Sequence, residues 1–434
     1  MKNITPIYFK NILMNSIFQL YENKDLYLNN SEKAFSRTQK ISFSDTILFP
    51  IVTSGESTPV EMLDFFPASN IPTQAALDYR RNQVKPSAFK DLFVSFSSKL
   101  PKSNTFHGMP IIACDGTRIN TPYNPNDADS FVDCISDRKP FNQYHLNSLY
   151  DVLNNHYIDA IIQGFYQMDE RLAFCEMIDR FSSDLTSIFT CDRGFASFNV
   201  VAHTINSGHH FVIRLTSSMA EKIFHDIAEK QSDESFDIED EIYIGRKRTN
   251  KNKELHNYHF ISSQKRYDFI PYGSEKIDHF RLRLVKFTPQ GGNEEYLLTD
   301  LMQSEMSLSD LAEIYRLRWG IETSFRLLKY SAGMIHTHSI KPDFIFQEIY
   351  AKLICYNFCE AIMSYNQVEN SENTKYTYVA EKNYIFKVCI RFLKGIIGIK
   401  DMLSIIKKRK VPVRAGRKFE RNVRRQHADT LQYR

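Results

Sequence analysis

The chain has 434 residues, 42% hydrophobic and 24% charged, proportions of an ordinary globular protein with room for two or three domains. No stretch reaches the roughly 18 uninterrupted apolar residues of a membrane-spanning helix. The first residues mix Lys2, Lys10 and several Asn into their apolar positions rather than forming a signal segment, so a cytoplasmic protein without a membrane partner is expected.

The net charge of +4 conceals an asymmetry. Residues 386–425 carry 14 Lys and Arg against Asp401 and Glu420, which leaves −8 for the rest of the chain. A basic end on a mildly acidic body suggests a polyanionic partner there, with Lys408 and Arg409 at the centre of the run. The seven Cys are odd in number and scattered. Cys355 and Cys359 have no second Cys or His pair at zinc spacing, so small, buried, reduced side chains are expected.

In chain order, residues 1–105 read as a helical region. Its segment 73–97 forms two short helices divided at Pro86, the first presenting Arg80 and Arg81. A short apolar strand follows from Pro110 and ends on Asp115 and a Gly116 turn. Strands are expected at 144–150 and 157–163, then a helix near 169–181. The strand 185–191 again ends on an acid, in Asp192-Arg193-Gly194-Phe195. A helix near 196–207 and a strand at 210–216 complete this part.

The stretch 217–290 is polar, with short alternating strands such as 242–244 and 280–287, and reads as a β-rich insertion. Residues 296–301 return the chain to its main domain. The alternation indicates an α/β layer structure with a mixed sheet. The implied division is a helical N-terminal region at 1–105, a core of 106–216 and 291–370, the insertion 217–290, and a basic region 371–434.

Ser307-Leu-Ser-Asp310 opens an apolar-periodic helix as a capping box, and Gly333 stops it. Ile314, Leu317, Ile321, Phe325 and Leu328 make its buried stripe. Tyr315, Arg318, Glu322, Arg326 and Lys329 share one narrow face beside that stripe. Trp319 flanks it and is expected to pack against the sheet. On the helical wheel alone, Glu322 paired with Arg318 or Arg326 on a solvated face would explain this pattern. Asp115 alone reads as a turn residue, and Asp192 alone as a helix cap.

The order and spacing change that balance. Tyr315-x2-Arg318-x3-Glu322-x6-Lys329 resembles the signature of bacterial insertion-sequence transposases of the DDE class. Asp115-Gly-Thr117 and Asp192-Arg-Gly-Phe195 resemble the family's two strand-end motifs. The resemblance runs from about Ile71 to the basic end and is weakest in the insertion. It implies a ribonuclease H-like core and a catalytic triad of Asp115, Asp192 and Glu322 that binds two Mg²⁺ ions, for which Mn²⁺ can substitute.

Hard cations want a few carboxylates and keep the rest of their shell for water and phosphate. Two of them can activate an attacking oxygen and stabilise a leaving one without a protein nucleophile. The resemblance also implies phosphate contacts from Tyr315, Arg318 and Lys329, with Arg326 beside them. It further implies an insertion that grips the DNA end, strand transfer that often passes through a hairpin, and a homodimer in the synaptic complex. Double-stranded DNA, as element ends and as target, is the expected partner, with Arg80, Arg81 and the basic end as recognition surfaces.

No Walker-type loop occurs, so no nucleotide cofactor is implied. His203, His209, His210, His336 and His338 lack metal-ligand spacing and read as structural or surface residues. Two other functions fit parts of the pattern: a metal-dependent nuclease without strand transfer, and a catalytically silent DNA-binding derivative. The presence of all three acids weighs against the second.

Overall fold

The structure, a computed structural model, describes residues 5–37, 39–133, 139–225, 227, 235–289, 292–365 and 378–413. The N-terminal part is helical: α1 (Pro6–Glu22), α2 (Lys24–Tyr27), α3 (Phe43–Val52), α4 (Thr58–Phe65), α5 (Gln74–Arg81) and α6 (Pro86–Ser98). Local chemistry sets these ends. Pro6 and Pro86 lie in the first turns of α1 and α6, where a missing N–H costs nothing. Ser42 and Asp45 cap the start of α3 reciprocally. Phe9, Leu13, Ile17 and Leu20 form the buried stripe of α1.

The next elements are β1 (Ile111–Thr121), β2 (Phe131–Val132), β3 (Phe141–Asp151), β4 (His156–Gly164), α7 (Glu170–Asp179), β5 (Ile188–Cys191), α8 (Phe198–Asn206) and β6 (His210–Leu215). Then come α9 (Ser217–Ile223), β7 (Phe236–Gly245), α10 (Asn250–Lys253), β8 (Tyr258–Phe260), β9 (Ile277–Phe287) and β10 (Glu295–Thr299). The chain continues through α11 (Leu308–Leu317), α12 (Trp319–Tyr330), α13 (Pro342–Tyr365), β11 (Tyr378–Ala380), α14 (Lys382–Leu393), α15 (Ile399–Lys408) and β12 (Lys410–Pro412).

Among the described residues, ten strands form one mixed sheet in the order β2-β3-β1-β5-β6-β10-β9-β7-β8, with β4 also on β3. β1, β5 and β6 are parallel neighbours at its centre. The expected α/β mixed-sheet core is therefore present. Alternate residues of the central strands enter two different cores. Ile111, Ala113 and Ile188 pack with Ile321, Phe325 and Leu328 of α12 and with α13. Ile112, Cys114, Phe189 and Cys191 pack with Phe174 and Met177 of α7 and Val200 of α8. The sheet is thus sandwiched between helices, as its two apolar faces require. α13 is buried almost all round because α3, α6, α14 and β4 all pack on it.

The polar stretch 217–290, expected as an insertion, continues this same sheet. β9 pairs along β10 from Glu295↔Phe287 to Thr299↔Arg283, and β7 pairs along β9. Without β9, one edge of β10 would present unpaired backbone groups, which adding strands satisfies. Arg283 reinforces the junction. Its fully buried guanidinium binds Asp237 at 2.7 Å and donates to the carbonyls of Leu301 and Met306, just before α11. No helix among the described residues is long and apolar enough to cross a membrane.

Candidate active site

The centre of the site follows from strand register and parity. Ala113 of β1 lies opposite Thr190 of β5 in parallel register, so two residues further on Asp115 comes level with Asp192. Both share the parity of Ile111, Ala113 and Ile188, whose side chains face α12. Glu322 sits in the first turn of that helix.

The three acids feel one another. Asp115 has its pKa raised to about 6, chiefly because burial penalises its charge. Asp192 and Glu322 add to the rise, while the Gly116 N–H and Arg318 oppose it.

Asp115 is not the turn residue its Asp-Gly context suggests. β1 runs on through Gly116 to Thr121, paired throughout with β3. The glycine is needed for space: a Cβ there would lie 2.2 Å from Nε2 of His145 and 2.6 Å from Oε1 of Glu170. Those two side chains pair at 2.8 Å directly over Gly116. The Gly116 N–H in turn donates to Oδ1 of Asp115 at 2.8 Å. Asp192 accepts from the Gly194 N–H at 2.7 Å and so caps the short turn at Arg193–Phe195.

The long helix expected from 307 to 333 is two helices. The Ser307 and Asp310 capping box and the left-handed Gly333 stop are both present. The chain tightens at Arg318, whose N–H bonds to the Tyr315 carbonyl, and α12 restarts at Trp319. Arg318 is 4% exposed. Its Nη2 lies 3.0 Å from Oε1 of Glu322, and its guanidinium stands 5.3 Å from the ring centres of both Tyr315 and Trp319. Burial works to lower the Arg318 pKa, but Tyr315, Glu322 and Asp115 outweigh it and hold it above the ordinary value. Its Nε is buried with no hydrogen-bond partner among the described residues.

Tyr315 is buried, Lys329 is half-buried and Arg326 is exposed. The Lys329 side chain has no ion pair among the described residues, and burial pulls its pKa below the usual lysine value. Trp319, expected to pack on the sheet, is instead 44% exposed. It occupies the first position of α12, where the tightened turn directs it outward beside Arg318.

Three hard oxygen donors, with no thiol or imidazole among them, suit Mg²⁺ or Mn²⁺. Asp115 and Asp192 come level on the face under α12, and Asp192 and Glu322 both oppose the ionisation of the buried Asp115, so the residues fit a divalent cation. In this arrangement Glu322 is turned to Arg318, and no three His, Cys, Asp or Glu side chains among the described residues are gathered at metal-holding distance.

A family model described as a transposase DDE domain matches residues 106–358, more than half of the chain. The chain belongs to the DDE transposase family. The matched span of this transposase-family chain runs from just before β1 into α13, so it contains all three acids and the stretch 217–290. Among solved structures, a cryo-EM piggyBac transposase synaptic complex with hairpin DNA aligns over 97% of this chain and 89% of that one. Its TM-score is 0.47 and its identity 12%, a loose likeness. No curated protein matches the sequence.

Two expected DNA contacts face the wrong way for that role. Arg81 is 3% exposed and pairs with Glu348 of α13 at 3.0 Å, and it also donates to Gln347 and the Phe344 carbonyl. Arg80 is 4% exposed, with its guanidinium 4.5 Å from the ring centre of Phe35 and bonded to Gln83. A helical wheel cannot show that the basic side of α5 is the side that packs.

Lys408 and Arg409 are exposed, Arg409 lying over the Tyr384 ring at 4.4 Å. Residues 414–425 of the basic run lie outside the described residues. Of the histidines, His203 bridges Asp179 and Asp268, and His210 binds Asp300 at 2.8 Å, which raises its pKa. The six described cysteines are all buried free thiols, as expected; Cys134 lies outside the described residues.

Proposed function

We propose that this chain is an active transposase that binds the terminal inverted repeats of its own element, nicks the DNA there and joins the freed 3′-hydroxyl in strand transfer. One observation supports this most directly: Asp115 is level with Asp192 on the face covered by the helix that carries Glu322, and its ionisation responds to both. In this reading Asp115 and Asp192 hold one Mg²⁺ jointly and Glu322 completes the site of a second, with Mn²⁺ as a substitute. Bound ions would supply Lewis acidity at the attacking and leaving oxygens of the phosphodiester.

The chain's own groups do the positioning. The Gly116 and Gly194 N–H groups fix the rotamers of Asp115 and Asp192, so neither acid must be ordered when substrate arrives. Arg318 releases Glu322 and turns its charge, with the unpartnered Nε, to a phosphate of the scissile strand. Lys329 and Arg326 lie along the same helix as further phosphate contacts, with Tyr315 supporting Arg318 from below. Lys408 and Arg409 add charge at the C-terminal side. The division into an N-terminal DNA-binding region (1–105), a core, an insertion and a basic end belongs to this proposal, as does a dimer on paired ends.

The test is cleavage of a labelled fragment carrying the element end, with Mg²⁺ or Mn²⁺, by wild type and Glu322→Gln. Metal-dependent nicking at the end, about 100-fold or more weaker in the variant while binding persists, is expected. Joined strands would separate a transposase from a nuclease. Binding without cleavage by wild type would favour a silent DNA-binding protein, and undiminished cleavage by the variant would remove Glu322 from the site.

A further inference from the structure

The two aspartates are held in unlike ways. Asp115 lies inside β1, paired across the ladder with Ser148 of β3. Asp192 lies beyond its strand: the β1–β5 ladder ends at Ala113↔Thr190 and the β5–β6 ladder at Cys191↔Ile213. The backbone of Asp192 is therefore placed by the short turn at Arg193–Phe195. There the Gly194 N–H donates to its carboxylate and the Phe195 N–H to its carbonyl. Such a turn closes on itself, so whatever ties it to the body of the protein decides where Asp192 stands.

Helix α7 supplies that tie. Arg171 donates from Nε to the Gly194 carbonyl at 2.7 Å. Phe174 meets the buried Phe195 ring edge-on, with ring centres 5.5 Å apart. Arg171 and Phe174, at i and i+3, share one face of the helix. The same helix end also reaches β1. Glu170, next to Arg171, pairs with His145 over Gly116, where a Cβ would strike both side chains. Asp169 caps the helix through the Leu172 N–H, so Glu170 and Arg171 lie in an ordered first turn. Consecutive side chains thus hold the strand segment beside Asp115 and the turn beside Asp192.

The place of α7 decides what kind of role this is. It packs on the sheet face of Ile112, Cys114, Phe189 and Cys191, whereas Asp115 and Asp192 share the parity of the residues that face α12. Arg171 therefore acts on the carboxylates through the backbone, from the far side of the sheet. Its bond to a carbonyl needs a donor and no charge. Mg²⁺ demands near-ideal octahedral geometry at about 2.0–2.1 Å, so a shared ion is sensitive to small changes in the separation of its carboxylates.

We propose that Arg171 is a positioning residue for the paired aspartates. Its hydrogen bond to the Gly194 carbonyl holds the Asp192 turn against the β1 segment that Glu170 engages. Asp115 and Asp192 thereby keep the separation that a shared divalent cation requires. This role rests on the reading of the two acids as joint metal ligands.

The experiment titrates Mn²⁺ into the full chain and reads the unbound ion by electron paramagnetic resonance, for wild type, Arg171→Met, Arg171→Gln and Asp192→Asn. Gln carries its side-chain nitrogen as far from Cα as the Arg Nε, so it can restore the hydrogen bond without the charge; Met has similar length and no donor. Arg171→Met should bind Mn²⁺ about tenfold or more weakly, the usual effect of losing a group that orients a metal ligand. Arg171→Gln should stay near wild type, and Asp192→Asn should lose the site. Metal-free melting curves of wild type and both Arg171 variants should coincide.

Wild-type affinity in Arg171→Met would overturn the proposal. So would an Arg171→Gln protein as weak as Arg171→Met, which would make charge and not the hydrogen bond the active property. If ion affinity instead followed the metal-free melting temperature across the variants, Arg171 would be a residue of general stability and the proposal would fall. Ion binding lost in Asp192→Asn yet kept in Arg171→Met leaves the joint metal site standing and removes Arg171 from it. A wild type that binds no Mn²⁺, or an Asp192→Asn protein that binds it undiminished, removes the metal reading and this role with it.

Discussion

Asp115, buried under α12, is a side chain whose charge acts against stability. Its folded pKa of about 6 lies above the ordinary 3.8, with burial as the first cause. Below about 4 both folded and unfolded states hold the proton and nothing is lost. As pH rises from there to about 6 the unfolded chain ionises first, so stability falls, and the full penalty is present above 6. Asp115→Asn should therefore stabilise the metal-free protein by about 1–3 kcal/mol at pH 7.5. Melting curves at pH 7.5 and 4 would check this, and an equal gain at both would rule out the ionisation cause. Added Mg²⁺ should raise the wild-type melting temperature and leave that of the variant unmoved.

Gly116 makes a second case at the same scale. Gly116→Ala must push apart the His145 and Glu170 pair it would strike, at a cost of about 1–3 kcal/mol visible as a lowered denaturant midpoint. The space above Gly116 was not legible from Asp-Gly in the sequence, because His145 and Glu170 arrive from β3 and α7.

At the scale of elements, α5 and α12 are amphipathic helices whose polar groups have opposite fates. The Arg81 guanidinium of α5 is locked to Glu348 of α13. Arg81→Ala should destabilise by about 3–5 kcal/mol, since it strands a buried carboxylate, and Arg81→Met by less. The salt dependence of DNA binding should not change in either variant, and a shallower slope would restore Arg81 as a phosphate contact. The sequence places Tyr315, Arg318, Glu322, Arg326 and Lys329 on one face of one helix; in the structure Tyr315 belongs to α11, Arg318 joins the two helices, and Glu322, Arg326 and Lys329 follow on α12. The tightening at Arg318, and with it the outward Trp319, depends on how α11 and α12 fit the strands beneath.

For the whole molecule, the continuous sheet from β2 to β8 makes 217–290 part of one structural unit with the central strands. Arg283 ties β9 to the start of α11, the helix that leads into α12 and Glu322, so the edge strands and α11 share a buried junction. Thermal unfolding followed by the fluorescence of Trp319, the single Trp, and by far-ultraviolet circular dichroism should therefore give coincident transitions. A separate, earlier loss of sheet signal would show 217–290 melting by itself.

The sequence by itself determined the mixed α/β class and the order of strands and helices through the core. Both follow from local periodicity, capping and spacing, which a chain carries wherever it folds. The choice of Asp115, Asp192 and Glu322 came instead from the resemblance of their motifs to those of DDE transposases. Only the tertiary structure decided that β1 continues past Asp115, that Arg80 and Arg81 face inward, and that the polar stretch extends the central sheet. Those outcomes depend on strand register and on which side of a helix finds a partner. Both are set by residues far apart in the chain, whose mutual burial no local pattern records.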